Sequence, residues 1–355
     1  MTKRPPTIVD IARRLEVSPS SVSRALRNAG KVGTKLRARI VQEAKDVGYS
    51  PNPMACAFRR QSSRLIGLVV PTLFSVEIDE LVTNIQEHTQ KHDYGVILGV
   101  SNWDSEKEIE LLKFMESKCT EGIIIKSRCS AQSLEKIYQL AQRGVKVVSL
   151  LDKIDFSNVY SVVVDNTMGG YLATKHLLDL GHTDILYLTY YFAKTNHFSR
   201  DRHIGMLKAY REANIERPNK LISDASNPED NRCEKTFQEF LNRDIDFSAV
   251  FAFDDTLAAV ASRSLKWKGH EIPEDYSIIG FDDSIIVNKW CDPPLTVVKQ
   301  PADQIGFEAV NLIIGSPQNS RATIEGNLYT LEPQLVLRKS TSRYNKAKQQ
   351  QPVSP

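Results

Sequence analysis

Little in this chain of 355 residues points to bound metal or redox chemistry. The five cysteines, Cys56, Cys119, Cys129, Cys233 and Cys291, are scattered, and no pair has metal-ligand spacing. An odd number of dispersed thiols argues against a disulfide framework and fits reduced cysteines in the cytoplasm. No apolar run approaches the roughly 20 residues that a bilayer demands, so no membrane partner is expected. The amino terminus, MTKRPPT, lacks the apolar stretch of a secretory leader. Familiar enzyme devices are missing as well: no G-x-G-x-x-G after a strand, no G-x-x-x-x-G-K-[ST], no G-x-S-x-G and no H-E-x-x-H. The expectation is a protein that is not an enzyme and needs no cofactor or metal.

What is present begins at residues 7–26, TIVDIARRLEVSPSSVSRAL. Ile8, Ile11, Ala12 and Leu15 recur at helical spacing, with Thr7 placed to cap the start. Ser18 caps a second helix, Pro19 takes its first position, and Val22, Ala25 and Leu26 form its inner face. Ser20, Ser21, Ser23 and Arg24 are left outward. A short helix carrying small polar groups and one arginine suits the major groove, because a guanidinium donates two hydrogen bonds to a guanine edge. A third helix runs from Thr34 to Val47, with Leu36, Ile40, Val41, Ala44 and Val47 inward, and Gly48 ends it. This is a helix-turn-helix pattern.

Charge supports it. The chain is +3 overall, yet residues 1–64 carry 14 Lys and Arg against 4 Asp and Glu, and residues 338–355 carry 5 against none. The intervening residues hold 27 basic and 39 acidic side chains. A basic head on an acidic body is the electrostatic footprint of a nucleic-acid module joined to a part that stays off DNA.

Residues 50–64 form a linker. Pro51 and Pro53 break it from the head, and Pro53 can open a short helix capped by Asn52, with Met54, Ala57 and Phe58 as an apolar stripe before Arg59, Arg60 and Arg64. Two readings stand: an apolar wedge for the minor groove, or a plain tether.

From residue 65 apolar strands alternate with amphipathic helices, which implies parallel sheets covered on both faces. Residues 65–337 exceed one ordinary doubly wound sheet, so two lobes are expected. The polar remainder, 338–355, reads as a disordered tail. Two carboxylate pairs, Asp254–Asp255 and Asp282–Asp283, end strands, where open α/β sheets bind ligands. They read as helix caps or ligand acceptors ahead of metal ligands. His182 reads as fixing a helix–strand turn and His176 as a structural helix residue.

The chain resembles the lactose/galactose repressor (LacI/GalR) family of bacterial transcription regulators. The motifs are T-I-x-D-I-A and V-S-x-x-S-V-S-R-A-L in the head, G-Y-x-P-N at the linker, V-x-x-D-N at 162–166, R-x-x-G at 202–205, A-F-D-D at 252–255, I-I-G-F-D-D at 278–283 and D-P-P-L-T-V-V-K-Q-P at 292–301. The resemblance spans about residues 6–337. It implies an all-α helix-turn-helix head (1–49), a hinge helix (50–64) and two Rossmann-type lobes like those of periplasmic binding proteins (65–337). The implied partners are double-stranded operator DNA, a second copy of the chain, and a small effector, a sugar or sugar derivative, held between the lobes.

Carried over by motif, Pro19, Ser20 and Arg24 face bases, while Thr7, Ser18, Ser21, Ser23 and Arg27 lie near phosphates. The family's hinge A-R-x-L becomes Ala55-Cys56-Ala57-Phe58, so Phe58 takes the wedge position beside Ala57. In the effector cleft the resemblance implies Arg202, Asp282 and Asp254, the last in place of the family's asparagine. Glu77 stands where aromatic contacts are usual, and Tyr190 opens a segment that is usually glycine-rich. These departures make the pocket more acidic and favour a neutral or cationic hydroxylated ligand. The alternative is a DNA-binding regulator that ignores effectors and keeps a vestigial cleft.

Overall fold

The computed structural model describes residues 6–26, 30, 32–49, 62–73, 76–127, 129–190, 197–216, 222–225, 232–243, 245–315 and 319–345. The chain divides into two compact units, residues 1–63 and 64–355.

The first unit holds helices α1 (Ile8–Leu15), α2 (Pro19–Leu26) and α3 (Thr34–Asp46). A capping box starts α1: Asp10 N donates to Thr7 Oγ1 at 3.4 Å, and Thr7 N donates to Asp10 Oδ2 at 2.9 Å. The turn to α2 passes through Glu16 in the left-handed region, φ 53°. Ile11, Ala12, Val22, Ala25, Ile40 and Ala44 make the core. Val41, expected inward, is 37% exposed. It follows Ile40 by one residue, about 100° around the helix, and so falls outside the stripe set by Leu36, Ile40, Ala44 and Val47. Gly33 caps α3 with no side-chain hydrogen bond, and Thr34 is already its first helical residue. The linker helix expected near 52–60 lies outside the described residues.

The second unit contains two sheets. In the first lobe the strand order is β11 (Thr323–Glu325), β12 (Leu328–Leu331), β5 (Val159–Val164), β4 (Lys146–Leu150), β3 (Gly122–Ile125), β1 (Leu65–Val70) and β2 (Gly95–Val100). In the second it is β13 (Gln334–Val336), β10 (Thr296–Lys299), β9 (Ser277–Asp282), β8 (Ala249–Ala252), β6 (Ile185–Tyr190) and β7 (Ile222–Ala225). All described pairings are parallel except β11 with β12 and β10 with β13. Strands such as LIGLVV are apolar throughout because helices bury both faces.

On the first lobe one face is covered by α4 (Val76–Lys91) and α12 (Ala302–Ile314), the other by α5 (Ser105–Ser117) and α6 (Ala131–Gln142). The second lobe packs α7 (Asn166–Asp179) and α8 (His197–Glu212) on one face. On its other face lie α9 (Arg232–Leu241), α10 (Asp255–Trp267) and the short α11 (Ile285–Trp290). The chain crosses between the lobes three times, from β5 into α7, from β10 into α12 and from β12 into β13. Sequence patterning omits β7, β10 to β13 and α11, which are short, and starts α8 at Arg202 instead of His197.

Residues 338–345 correct the expectation of a disordered tail. Ser340 is fully buried: its hydroxyl donates to Ile278 O and accepts from Thr296 N at 2.8 Å. His176 Nε2 meets Thr341 Oγ1 at 3.0 Å, and His182 Nε2 donates to Ser342 O at 3.0 Å. The segment is polar because its partners are backbone groups and histidines of the second lobe. Hydrogen bonding, not apolar burial, orders it.

Candidate functional site

The head exposes one face of α2. Val22 and Ala25 are buried, whereas Ser18, Pro19, Ser20 and Arg24 are exposed and Thr7, Ser21 and Ser23 are half-buried. Ser18 Oγ accepts from Ser21 N at 3.1 Å and lies 2.8 Å from Ser20 Oγ and 2.9 Å from Ser21 Oγ. The cap thereby gathers three hydroxyls at the positive end of the helix, a position suited to phosphate. Arg24 Nε donates to Ser20 O at 3.3 Å, which holds its guanidinium along the exposed face. Arg27, Ala57 and Phe58 lie outside the described residues.

In the body, all five residues predicted for an effector site meet where the lobes face each other. Arg202 sits in the second turn of α8, 3% exposed. Its Nε donates to Asn166 Oδ1 at 2.9 Å, its Nη1 to Phe253 O, and its Nη2 lies 3.8 Å from Asp282 Oδ1. The guanidinium is stacked between Phe253 and Phe281, 4.4 and 3.4 Å from the ring centroids. Glu77, in the first turn of α4, belongs to the other lobe. Gln300, in the crossover after β10, ties the two: its Nε2 donates to Glu77 Oε1 at 3.1 Å and to Asp282 Oδ1 at 2.6 Å. Tyr190, at the end of β6, donates its hydroxyl to Asp254 Oδ2 at 2.6 Å.

The electrostatics follow from burial and from like charges. Burial pushes the Asp282 carboxyl up to about 7; Arg202 opposes the rise, and Glu77 and Asp254 add to it. Burial likewise raises Asp254, against hydrogen bonds from Tyr190 and Leu257 N and the charge of Arg202. Burial also raises the Tyr190 hydroxyl, with Asp254 adding to the shift.

Each carboxylate pair splits its duties. Asp254 caps α10 by accepting from Leu257 N at 2.8 Å, while Asp255 turns inward to accept from Ser284 N. Asp282, φ 92°, faces the cleft, while Asp283 pairs with Arg338 at 2.6 Å and Lys299 at 3.2 Å. The second member of each pair is therefore structural. Asp255 Oδ1 has no hydrogen-bond partner among the described residues, and burial pushes its carboxyl up to about 9.

A carboxyl that binds a proton when folded but not when unfolded stabilises most at low pH. This contribution is full near pH 4 and is lost as pH rises toward 9. We expect Asp255→Asn to flatten that decline by up to about 1.4 kcal/mol per pH unit. Urea midpoints at pH 6 and pH 8 read this directly, and equal slopes in parent and variant would refute it.

Several residues of the cleft escaped the sequence reading. Gln300, Asn166, Phe253 and Phe281 surround Arg202 and Asp282. Further along, Lys126 and Asp152, after β3 and β4, form a buried ion pair. His197 Nε2 approaches Asp152 Oδ1 at 3.3 Å from the start of α8, and Lys126 Nζ lies 4.6 Å from the Phe198 centroid. Burial lowers the basicity of His197. The signal available was position: Lys126 closes GIIIK and Asp152 follows VKVVSLL, both at carboxyl ends of parallel strands.

Two family models match the chain: periplasmic binding protein-like domain over residues 174–341, and bacterial regulatory proteins, lacI family, over residues 7–52. The HTH-type transcriptional regulator DegA of Bacillus subtilis is 30% identical over 340 residues, covering 96% of this chain and 99% of that protein. The chain belongs to the lacI family of bacterial regulatory proteins. Like its relatives in that family it is a DNA-binding transcriptional regulator, not an enzyme. The lac repressor dimer bound to operator and the anti-inducer ONPF has the same fold, with a TM-score of 0.79, 22% identity and coverage of 96% of this chain and 100% of that one. The complex of the transcriptional regulator CelR with cellobiose superposes with a TM-score of 0.66 at 25% identity, covering 94% of this chain and 99% of that one. No described helix of this lacI-family protein is long and apolar enough to cross a membrane.

Proposed function

We propose that the protein is a cytoplasmic repressor that binds a near-palindromic operator as a homodimer and changes its DNA affinity when a small hydroxylated effector enters the body. The observation that carries the effector part is the chain Glu77–Gln300–Asp282–Arg202, which draws donors and acceptors from both lobes into one cleft. A ligand in contact with both lobes has a different affinity for each arrangement of them, which is the requirement for an effector to shift an equilibrium. CelR, of the same fold, holds cellobiose. On DNA, Pro19, Ser20 and Arg24 read bases, while Thr7, Ser18, Ser21, Ser23 and Arg27 hold phosphates. Phe58, beside Ala57, wedges the minor groove between half-sites.

The competing reading, regulation without an effector, draws on one observation. Arg202 and Gln300 already hydrogen-bond to groups within the protein. A thermal-shift screen of sugars separates the two, since a ligand at about 100 times its dissociation constant stabilises by roughly 2.7 kcal/mol.

The DNA assignment is tested apart from it. Arg24→Ala should lose about 1–3 kcal/mol of base discrimination per half-site while leaving ligand-induced stabilisation unchanged. Operator footprints as tight and as selective as the parent's would remove Arg24 from the reading face.

A further inference from the structure

Two acidic residues lie far apart in sequence, Glu77 in the first turn of α4 and Asp254 after β8. Each adds a carboxylate, and the fold brings both to Asp282: Glu77 and Asp282 share the Gln300 amide, and all three repel one another electrostatically. Among the described residues, three carboxylates are thus answered by a single guanidinium. Arg202 spends its other two bonds on neutral oxygens, those of Asn166 and Phe253. Lys126, a second buried cation among the described residues, is matched by Asp152. The described residues at this end of the cleft carry a surplus of negative charge, and burial together with that surplus raises the Asp282 carboxyl.

A neutral polyol can accept and donate hydrogen bonds here without cancelling that charge. An anionic sugar meets repulsion. A protonated amine does both jobs: it donates charge-assisted hydrogen bonds, about twice as strong as neutral ones, and neutralises the surplus. The nitrogen of Gln300 already occupies a position between two of the carboxylates and shows that a nitrogen donor fits their spacing.

We propose that the effector is a hydroxylated molecule bearing a protonated amine, an amino sugar in chemical class, held where Glu77, Asp254 and Asp282 converge. This rests on the reading of the cleft as an effector site. The amine lies against Glu77 of one lobe and the aspartates of the other, so it draws the lobes together, and its hydroxyls take the Asn166, Arg202 and Tyr190 side of the cleft.

The test is a thermal-shift and calorimetric titration of the full-length protein with hexoses in four matched forms: the neutral sugar, the amino sugar, its N-acetyl derivative and the uronate. The expected result is that an amino sugar binds at least tenfold tighter than its neutral, N-acetylated and acidic counterparts. Glu77→Gln combined with Asp254→Asn should bring the amino and neutral forms within about threefold of each other, with operator binding by the double variant showing that it is folded. A neutral or N-acetylated sugar that binds as tightly as the amine, or a uronate that binds tighter, overturns the amine inference and leaves the effector cleft standing. Failure of every form to bind the folded protein overturns both.

Discussion

Gly205→Ala destabilises the body by about 2 kcal/mol or more, although alanine in a helix interior ordinarily gains about 1 kcal/mol over glycine. The sign reverses because α7 and α8 touch through their backbones. A Cβ on Gly205 would stand 1.9 Å from Thr167 O and 2.6 Å from Tyr171 N, and one on Gly170 would stand 1.9 Å from Arg202 O. These neighbours are helix backbone and cannot rotate away as a side-chain tip would. The helices must separate; overpacking typically costs about 1–3 kcal/mol and occasionally more, and a backbone contact of 1.9 Å places this case at the upper end. Separation also carries Arg202 away from Asn166, so on the proposed reading of the cleft the substitution weakens effector binding along with stability. Denaturant midpoints of the parent, Gly205→Ala and Gly170→Ala provide the measurement. A midpoint equal to or above the parent's would show that the contact is looser than the geometry indicates.

Arg202→Ala has the second large effect, about 3 kcal/mol of stability at pH 8 together with, on the proposed reading of the cleft, loss of the effector response. The side chain is buried, and its removal leaves Asn166 Oδ1 and the Phe253 carbonyl without this donor and the Asp282 carboxylate without its counter-charge, though Gln300 Nε2 still donates to it. Breaking a buried ion pair by deleting one member typically costs about 3–5 kcal/mol, because the other charge stays behind. Here the cost sits at the low end, since Asp282 escapes by taking a proton.

That escape makes the penalty depend on pH. Asp282 titrates near 7 in the folded protein, above its unfolded value, so the stability from its protonated form is present at low pH and lost as pH rises through 7. Without Arg202 the carboxyl rises further. The variant therefore loses less at pH 6 than at pH 8, by at most about 1.4 kcal/mol, because only the one pH unit between 7 and 8 separates the two titrations in that window. Equal losses at both pH values would mean that the guanidinium does not act on Asp282. Arg202→Lys should recover part of the charge but not the stacked, three-way contact, because an ammonium has no planar fork.

Much of the architecture was legible because its signals are local. Helical spacing from Ile8 to Leu15, a serine cap followed by proline at α2, and uninterrupted Val/Ile strands each obey rules that operate within a few residues. The strand-end carboxylates could be read as candidate ligands for the same reason, since a parallel sheet presents its carboxyl ends to whatever binds. Local rules did not say which member of each Asp pair faces the cleft. That is decided by backbone direction after the strand, with Asp282 and Asp283 both in the left-handed region, and by distant partners: Arg338 and Lys299 claim Asp283, and Ser284 N claims Asp255.

The sequence by itself determined the class of the protein: a basic helix-turn-helix head, an acidic two-lobed α/β body, and motif residues that a family resemblance could place. Only tertiary structure decided how those residues meet. Gln300 has no periodicity or charge to mark it, yet it links the lobes because the crossover after β10 runs between Glu77 and Asp282. Lys126 and Asp152 are 26 residues apart and pair because β3 and β4 are neighbours in the sheet. Residues 338–345 read as solvated because their composition is polar, and they are ordered because the second lobe offers them backbone groups that must be hydrogen-bonded. Composition measures what a segment can bury on its own, whereas partners for polar groups exist only once remote parts of the chain have been brought together.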